Sequence, residues 1–553
     1  MVTDRSIPAN RIRTIVLLLL LLPGGGLIFG QSSVYNYFYR VYFKDKGNYT
    51  INDFSPLELL SQRAVDRRTR AGIAVPDYRD LPVNRDYLSQ VAMKGFRLHS
   101  TSKWLNTGLF KTQDPADISL IRSLPFVLEV KIVKHPGNKG KGEDKLDLSE
   151  ENEDMPPYDR PLSMVNGYSL HNSGYDGKGI VIAVLDGGYL KADIISSLKH
   201  LHLRGGIKGT RDFITGTGNV YGYHNHGTAV MSILAGVLPG QIAGTAPGAD
   251  YWLLRTEESS TEYPVEEDFW AAGAEYADSV GADIISSSLG YSEFNDPSMN
   301  YKFPDMDGNT AFVTIAADIA ASKGILVVAS AGNERNKSWQ RIIAPSDGDS
   351  VISAGAVDGY KIISAFSSAG LSADGRIKPD NVAQGVSVPI QTLEQTVSRG
   401  NGTSFSCPVI SGICACLFQA VPEATSFDII EALHLKGDRS SRPDSLYGYG
   451  IPDMLEVLSS LQEKYVPETD YPTLIVPNPV TGIFEIVFKD APGTLHIDII
   501  NASGKVILRI DLENYISRSL TVSELQNRES GIYFVRSKTS SGTFTNKVIK
   551  ITR

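Results

Sequence analysis

Residues 179–188 read GIVIAVLDGG, an unbroken apolar run that ends in an aspartate followed by two glycines. Comparable short apolar runs follow at 251–254, 283–285, 325–329 and 351–355, and helical patterns lie between them. Strands that are apolar on both faces and alternate with helices are typical of a parallel sheet covered on both sides. The sequence therefore predicts an α/β domain, built on a mostly parallel sheet with helices on both faces, over residues 161–462.

The segments on either side of this domain have a different character. Residues 31–134 mix strand and helix patterns and predict a small α+β domain, whereas residues 135–160 are rich in Gly, Lys and acidic residues and predict a flexible linker. Residues 463–553 consist of alternating apolar and polar runs separated by Pro, Gly and Asn turns. This last pattern predicts a small all-β sandwich.

The N-terminus has the features of an export signal. Arg11 and Arg13 precede a short leucine-rich core that Pro23 and a run of glycines interrupt, and Gly30 provides a small residue at the predicted cleavage point. The apolar run is short for a bilayer span, so residues 1–30 are predicted to be a cleavable signal peptide, with a retained membrane anchor as the alternative.

Charge and cysteine content exclude several classes of protein. The 553-residue chain has a formal net charge of -9 and no long basic block, so no nucleic-acid partner is expected. Its three cysteines, Cys407, Cys414 and Cys416, lie within one predicted helix, where Cys407 and Cys414 are too far apart for a disulfide. We expect small buried thiols rather than a disulfide framework or a metal site.

One serine is a candidate nucleophile. Ser404 lies in the segment NGTSFSCP, residues 401–408, where a glycine turn leads into a predicted helix. A serine hydroxyl needs a neighbouring base and donors for an oxyanion before it can attack a carbonyl. Without such partners, Ser404 would be an ordinary helix cap.

Three segments of the α/β domain offer those partners. Asp186 closes the first buried strand, at the edge of the sheet where ligands gather, although a turn aspartate is an equally good interpretation of that segment alone. His226 heads a helix, and Asn333 follows another strand, where its amide could stabilise an oxyanion or simply belong to a turn. The pair His224 and His226 does not have the spacing of a metal site, and no metal or other cofactor is predicted.

Together these segments closely resemble the subtilase family of serine endopeptidases over about residues 165–461. The matching motifs are Val184-Leu185-Asp186-Gly187-Gly188, His226-Gly227-Thr228, Ala331-Gly332-Asn333 and Gly402-Thr403-Ser404-Phe405-Ser406-Cys407-Pro408. The resemblance implies that His226 is the general base, that Asp186 orients it, and that Asn333 and the Ser404 N–H hold the oxyanion. Pro408 is expected in the first turn of the helix, where a missing N–H costs little.

The same resemblance implies a substrate-binding cleft. Ser288, Leu289 and Gly290 would be the edge that pairs with a peptide, and the wall of the first specificity pocket would be formed by Ala329, Ser330, Ala331 and Gly332. Tyr291 stands where the family often has a second glycine, so its ring is expected to affect a neighbouring subsite. Residues 305–310 partly resemble a calcium loop but lack the glutamate of an EF-hand, and an ordinary acidic turn is favoured.

The flanking domains acquire roles from the resemblance as well. The α+β domain is similar to a subtilase propeptide, which would act as an intramolecular inhibitor. The C-terminal domain is similar to the sorting domains of type IX secretion, with a carbohydrate-binding sandwich as the alternative. Its partner would be the outer-membrane secretion machinery of a Gram-negative bacterium.

These features predict a secreted or surface-located serine endopeptidase that acts on proteins or peptides. The alternative is a catalytically silent surface protein that uses the same scaffold only for binding.

Overall fold

The computed structural model describes residues 37–136, 156–465 and 471–551. The predicted signal peptide and most of the predicted linker, residues 137–155, lie outside the described residues. The predicted fold class is confirmed: a seven-stranded parallel sheet with helices is preceded by a small α+β domain and followed by an all-β domain. The domain boundaries proposed from the sequence stay predictions.

The N-terminal α+β domain is an antiparallel sheet in the order β2-β3-β1-β4. Its apolar face packs on short helices around Tyr39, Val41 and Phe110, which are almost completely buried. The elements are β1 (Tyr37–Phe43), α1 (Pro56–Leu59), α2 (Gln62–Arg70), α3 (Arg85–Ala92), β2 (Arg97–Ser102), β3 (Thr107–Thr112), α4 (Ser119–Arg122) and β4 (Val127–Lys134).

The central domain is organised around a sheet in the order β13-β12-β11-β10-β5-β9-β6, and every pairing in it is parallel. Its strands are β5 (Val181–Asp186), β6 (Ile207–Asp212), β7 (Val237–Leu238), β8 (Ile242–Ala243), β9 (Asp250–Arg255), β10 (Ile284–Ser287), β11 (Leu326–Ser330), β12 (Val351–Val357), β13 (Asn381–Gln384), β14 (Val388–Gln391) and β15 (Val397–Gly400). Residues of β5, β10 and β11 are completely buried, as expected of strands covered on both faces.

Helices cover both faces of this sheet, and two separate apolar cores lie beneath them. The helices are α5 (Arg160–Met164), α6 (Tyr168–Asn172), α7 (Lys199–Arg204), α8 (His226–Ala235), α9 (Val265–Val280), α10 (Phe312–Ser322), α11 (Thr403–Ala420), α12 (Ser426–Leu435) and α13 (Met454–Tyr465). Helix α11 is long and apolar enough to cross a membrane, but it is 83% buried inside the domain, which is the position of a core helix.

The C-terminal domain packs a three-stranded sheet, β16-β17-β20, against a four-stranded sheet, β19-β18-β21-β22. Its strands are β16 (Thr473–Val476), β17 (Phe484–Phe488), β18 (Gly493–Asn501), β19 (Val506–Tyr515), β20 (Ser519–Val522), β21 (Gly531–Thr539) and β22 (Gly542–Lys550). Alternate residues of β18 and β21 point into the core, which is the alternation that the sequence showed.

The three cysteines are free and completely buried. Burial raises the pKa of the Cys407 thiol to about 12, so the thiol is protonated and unreactive at neutral pH. The prediction of small buried thiols is confirmed.

Candidate active site

Asp186 and His226 are brought together at the carboxyl edge of the parallel sheet. Asp186 is the last residue of β5 and is completely buried, and the N–H of Gly187 donates to its Oδ1 at 2.7 Å. Nδ1 of His226 lies 2.9 Å from Oδ1 and 3.0 Å from Oδ2 of this carboxylate. A carboxylate placed in this way holds the imidazole in one orientation and favours the tautomer with its proton on Nδ1.

Glycines permit this close approach. A side chain at Gly188, where φ is +153°, would lie 2.6 Å from the backbone nitrogen of His224, and one at Gly227 would lie 2.5 Å from the Gly188 carbonyl oxygen. The Gly227 N–H donates to that same carbonyl at 3.0 Å. The turn after β5 and the start of α8 can therefore touch only because both positions lack a Cβ.

Ser404 lies in the first turn of α11, which begins at Thr403. Its hydroxyl donates to the Ser288 carbonyl oxygen at 3.3 Å, and it lines a cavity of about 340 Å³. The ring of the next residue, Phe405, stacks on the imidazole of His226, with the ring centroids 6.1 Å apart. Ser404 therefore directly precedes a residue whose ring contacts His226.

Asn333 lines the same cavity, and its amide is oriented by the start of α11. The N–H and the hydroxyl of Thr403 both donate to Oδ1 of Asn333 at 2.9 Å. Because Oδ1 accepts these bonds, Nδ2 is the atom of the amide that faces Gly402. A Cβ added to Gly402 would lie 3.4 Å from Nδ2 of Asn333 and 3.8 Å from Cβ of Ser404. An N–H donor therefore lies beside the serine.

Pro408 is in the interior of α11, not in its first turn as the sequence suggested. A residue with an N–H at position 408 would donate to the Ser404 carbonyl, and proline cannot. The Ser288 hydroxyl takes over this role and donates to the Ser404 carbonyl oxygen at 2.8 Å. From the sequence alone, the position of Pro408 identifies the Ser404 carbonyl as the one without a helical donor, but it does not identify Ser288 as the residue that donates to it.

The cleft beside Ser404 contains most of the predicted substrate-binding residues. Ser288, Leu289 and Gly290, which follow β10, form one wall, and Ser330 and Gly332, at the end of β11, form a second wall. Ala329 and Ala331 are completely buried and are not among the residues that line the cavity.

The Tyr291 ring does not enter the cleft, which differs from the effect expected from the sequence. Tyr291 is completely buried, and its hydroxyl donates to Glu257 at 2.8 Å. Burial raises the pKa of this phenol far above its usual range, and nearby carboxylates add to the effect. Its backbone forms an antiparallel bridge with Ala344.

Acidic side chains in the cleft were missed in the sequence. Glu257, Glu262, Glu293 and Glu334 line the cavity together with one lysine, Lys337, which lies 3.0 Å from Glu334. In the described part of the chain, ligand atoms of Glu257, Glu262 and Glu266 lie within 4.8 Å of one another, and such a group could hold a cation. In the sequence, Glu257, Glu262 and Glu266 are spread over ten residues and do not form a recognisable metal-binding motif.

The acidic segment at residues 305–310 forms a local turn. Asp307 accepts hydrogen bonds from the N–H groups of Asn309 and Thr310, both at 2.8 Å, and from the Thr310 hydroxyl at 3.0 Å. This is the arrangement of an Asx turn.

A seven-stranded parallel sheet with helices on both faces, and with Asp186 and His226 in contact at its carboxyl edge, places the central domain in the class of α/β folds that carry their sites at this edge. Comparison with known proteins narrows this class. The chain belongs to the subtilase family: residues 177–450 match the model of the subtilase family, and residues 38–147 match the peptidase S8 propeptide domain of Bacteroidota.

The similar proteins include bacterial subtilisins. The chain is 31% identical to Subtilisin DY of Bacillus licheniformis over 301 residues, which cover 53% of this chain and 94% of that protein. It is also 31% identical to Subtilisin E of Bacillus subtilis (strain 168), over 49% of this chain and 64% of the relative, so the match spans less than two thirds of that relative's length. The solved structure "Crystal structure of MycP1 with the N-terminal propeptide removed" is 19% identical, with a TM-score of 0.44, over 55% of this chain and 97% of that one.

Residues 474–551 match the secretion system C-terminal sorting domain. This domain indicates type IX secretion to the cell surface or to the outside of the cell, and it confirms the localisation expected from the sequence.

Proposed function

We propose that this chain is a secreted serine endopeptidase in which Asp186, His226 and Ser404 form the catalytic triad. The observation that carries the proposal is the contact of the His226 imidazole with both carboxylate oxygens of Asp186, while the same imidazole stacks on Phe405, the residue after Ser404. His226 takes the Ser404 proton as the hydroxyl attacks a peptide carbonyl, and it returns the proton to the leaving amine. Asp186 stabilises the imidazolium that forms between these two steps.

Asn333 supplies the oxyanion donor in this mechanism. Its Nδ2 lies on the Ser404 side of the amide because Thr403 occupies Oδ1, and the Ser404 N–H, in the first turn of α11, has no partner within the helix. Two N–H donors that are already oriented stabilise the tetrahedral intermediate without a cost of reorganisation.

The decisive experiment replaces Ser404 with alanine. Ser404→Ala should abolish the hydrolysis of peptides and the reaction with a fluorophosphonate probe, while the circular dichroism spectrum and the thermal unfolding curve stay unchanged. Equal hydrolysis by this variant would sink the assignment and would favour a silent binding protein, contaminated by another peptidase.

We further propose that the α+β domain is the chain's own inhibitor. It lies on α9, where Arg40 is bound to Asp268, and Arg67 and Arg68 both reach Asp278. The Glu275 carboxylate accepts hydrogen bonds from the Ser102 hydroxyl at 2.5 Å and the Trp104 N–H at 3.1 Å. Such buried charge pairs need both domains to be in place, since each domain alone would leave charges without partners.

Cutting within residues 135–160 would then start activation. Mass spectrometry of the purified chain should detect a fragment that ends in this segment, and Ser404→Ala should not release it if the chain cuts itself. Release of the same fragment by the Ser404→Ala variant would show that another peptidase activates the chain.

A further inference from the structure

The side chain of Ile343 lies between the two walls of the cleft beside Ser404. It lines the cavity and is 8% exposed. A Cβ added to Gly290 on one wall would lie 2.4 Å from Cδ1 of Ile343, and a Cβ added to Gly332 on the other wall would lie 2.9 Å from the same atom. The isoleucine therefore fills the space that the two glycines leave open, and it closes the cleft at that depth.

The backbone of Ile343 is fixed on both sides. Its N–H donates to the Ala331 carbonyl at 3.3 Å, and its own carbonyl accepts from the N–H and the hydroxyl of Ser346, at 2.9 and 2.8 Å. The next residue, Ala344, exchanges two backbone hydrogen bonds with Tyr291, at 2.7 and 3.1 Å. Moving the side chain out of the cleft by a backbone shift would break these bonds, and each broken bond leaves a buried polar group unpaired.

We propose that Ile343 sets the depth of the pocket that receives the substrate residue whose carbonyl is attacked, and that it favours a small side chain there over an aromatic one. The proposal rests on the proposed peptidase function, because it assigns a substrate preference to the same cleft. Protein interiors are close-packed, so a phenylalanine side chain could reach between Gly290 and Gly332 only by displacing Ile343. A substrate residue with a small side chain, such as alanine, needs no such displacement.

The test compares two peptide substrates that differ only in this residue, alanine in one and phenylalanine in the other. The full chain is allowed to process itself, and kcat/KM is measured for each peptide. We expect the wild-type protein to prefer alanine. Ile343→Ala removes three carbon atoms and should raise the ratio of phenylalanine to alanine cleavage by at least about 10-fold, since one methylene group in an apolar pocket already produces about 10-fold to about 200-fold.

Ile342→Ala is the matched control. Ile342 is completely buried but is not among the residues that line the cleft, so its truncation removes the same atoms from the core without deepening the pocket. The ratio should stay within about twofold of the wild-type value, since no substrate contact changes. Thermal unfolding of both variants shows whether each remains folded, and Ile343→Val provides a milder change if Ile343→Ala does not.

Two outcomes would overturn the inference and leave the peptidase function intact: a wild-type protein that prefers phenylalanine before the cut, or an unchanged ratio in active Ile343→Ala and Ile343→Val. Reaction of Ser404 with a fluorophosphonate probe shows independently that the catalytic machinery works. A wild-type protein that neither reacts with the probe nor cleaves any peptide would instead refute the proposed function, and the pocket assignment with it.

Discussion

Replacing Arg40 with alanine should greatly weaken the hold of the N-terminal domain on the peptidase domain. Nε of Arg40 donates to both carboxylate oxygens of Asp268 at 2.9 Å, and Nη2 donates to Oδ2 at 2.7 Å. Both side chains are only 4% exposed, and the guanidinium also lies 3.4 Å above the centre of the Phe312 ring. This contact between the two domains combines several charged hydrogen bonds with little exposure to solvent.

The expected loss of docking free energy follows from the burial of this ion pair. Removal of one partner from a buried ion pair costs about 3–5 kcal/mol, because the other charge is left buried without compensation. At about 1.4 kcal/mol per factor of ten, the dissociation constant of the cleaved N-terminal domain should rise between about 100-fold and about 4000-fold.

The assay uses the chain after its linker has been cut. The cleaved protein is diluted in steps, and the concentration at which peptidase activity is half recovered is compared between wild type and Arg40→Ala. Lys131→Ala is the control, since Lys131 is 52% exposed and its nearest carboxylate, that of Glu129, is 51% exposed and 3.7 Å away. Exposed pairs contribute at most about 1 kcal/mol. A shift of less than about threefold for Arg40→Ala would refute the reasoning that this pair holds the domains together.

Three further changes test other parts of the structure. Asn333→Ala should lower turnover by about 10²–10³-fold, the loss measured for the oxyanion asparagine of subtilisin, with little change in KM. Ser288→Ala should lower the free energy of unfolding by about 1–3 kcal/mol in urea titrations, because the Ser404 carbonyl loses its donor. Acidification below pH 6.5 should loosen the docked N-terminal domain: burial of His99, whose Nε2 lies 3.0 Å from the Phe213 carbonyl oxygen, lowers its pKa from 6.5 to about 4. The undocked state then binds the extra proton, so docking weakens as pH falls from 6.5 to 4 and is at full strength above 6.5.

Conservative variants provide the controls. Asn333→Asp keeps the acceptor for Thr403 but loses the donor, so it should fold normally and stay as inactive as Asn333→Ala. Ser288→Thr keeps a hydroxyl and should retain stability. His99→Phe cannot be protonated, so the concentration of half recovery, taken relative to the full activity at each pH, should depend less on pH between 4 and 6.5. A pH dependence that survives His99→Phe would assign the effect to another group.

Much of the fold could be predicted from the apolar runs. The sequence pointed to β5, β9, β10, β11 and β12, each to within a few residues, because strands buried on both faces are apolar throughout. It missed β6 and β13. Strand β6, IKGTRD, lies at one edge of the sheet and has only one fully buried residue, and β13, NVAQ, is buried but short and half polar. Neither has an apolar run to detect.

The residues of the candidate site could be recognised in the sequence because each lies in a short motif that indicates its chemical role. Asp186 ends strand β5 and Asn333 follows strand β11, whereas His226 and Ser404 stand at the starts of helices. These are the positions that meet at the carboxyl edge of a parallel sheet, so their proximity is expected from the fold class. The contacts of Ser288, Tyr291 and Ile343 could not be derived in this way. Each depends on which side chain faces the cleft and on how closely two walls approach, and close packing settles these distances only when the whole domain is assembled.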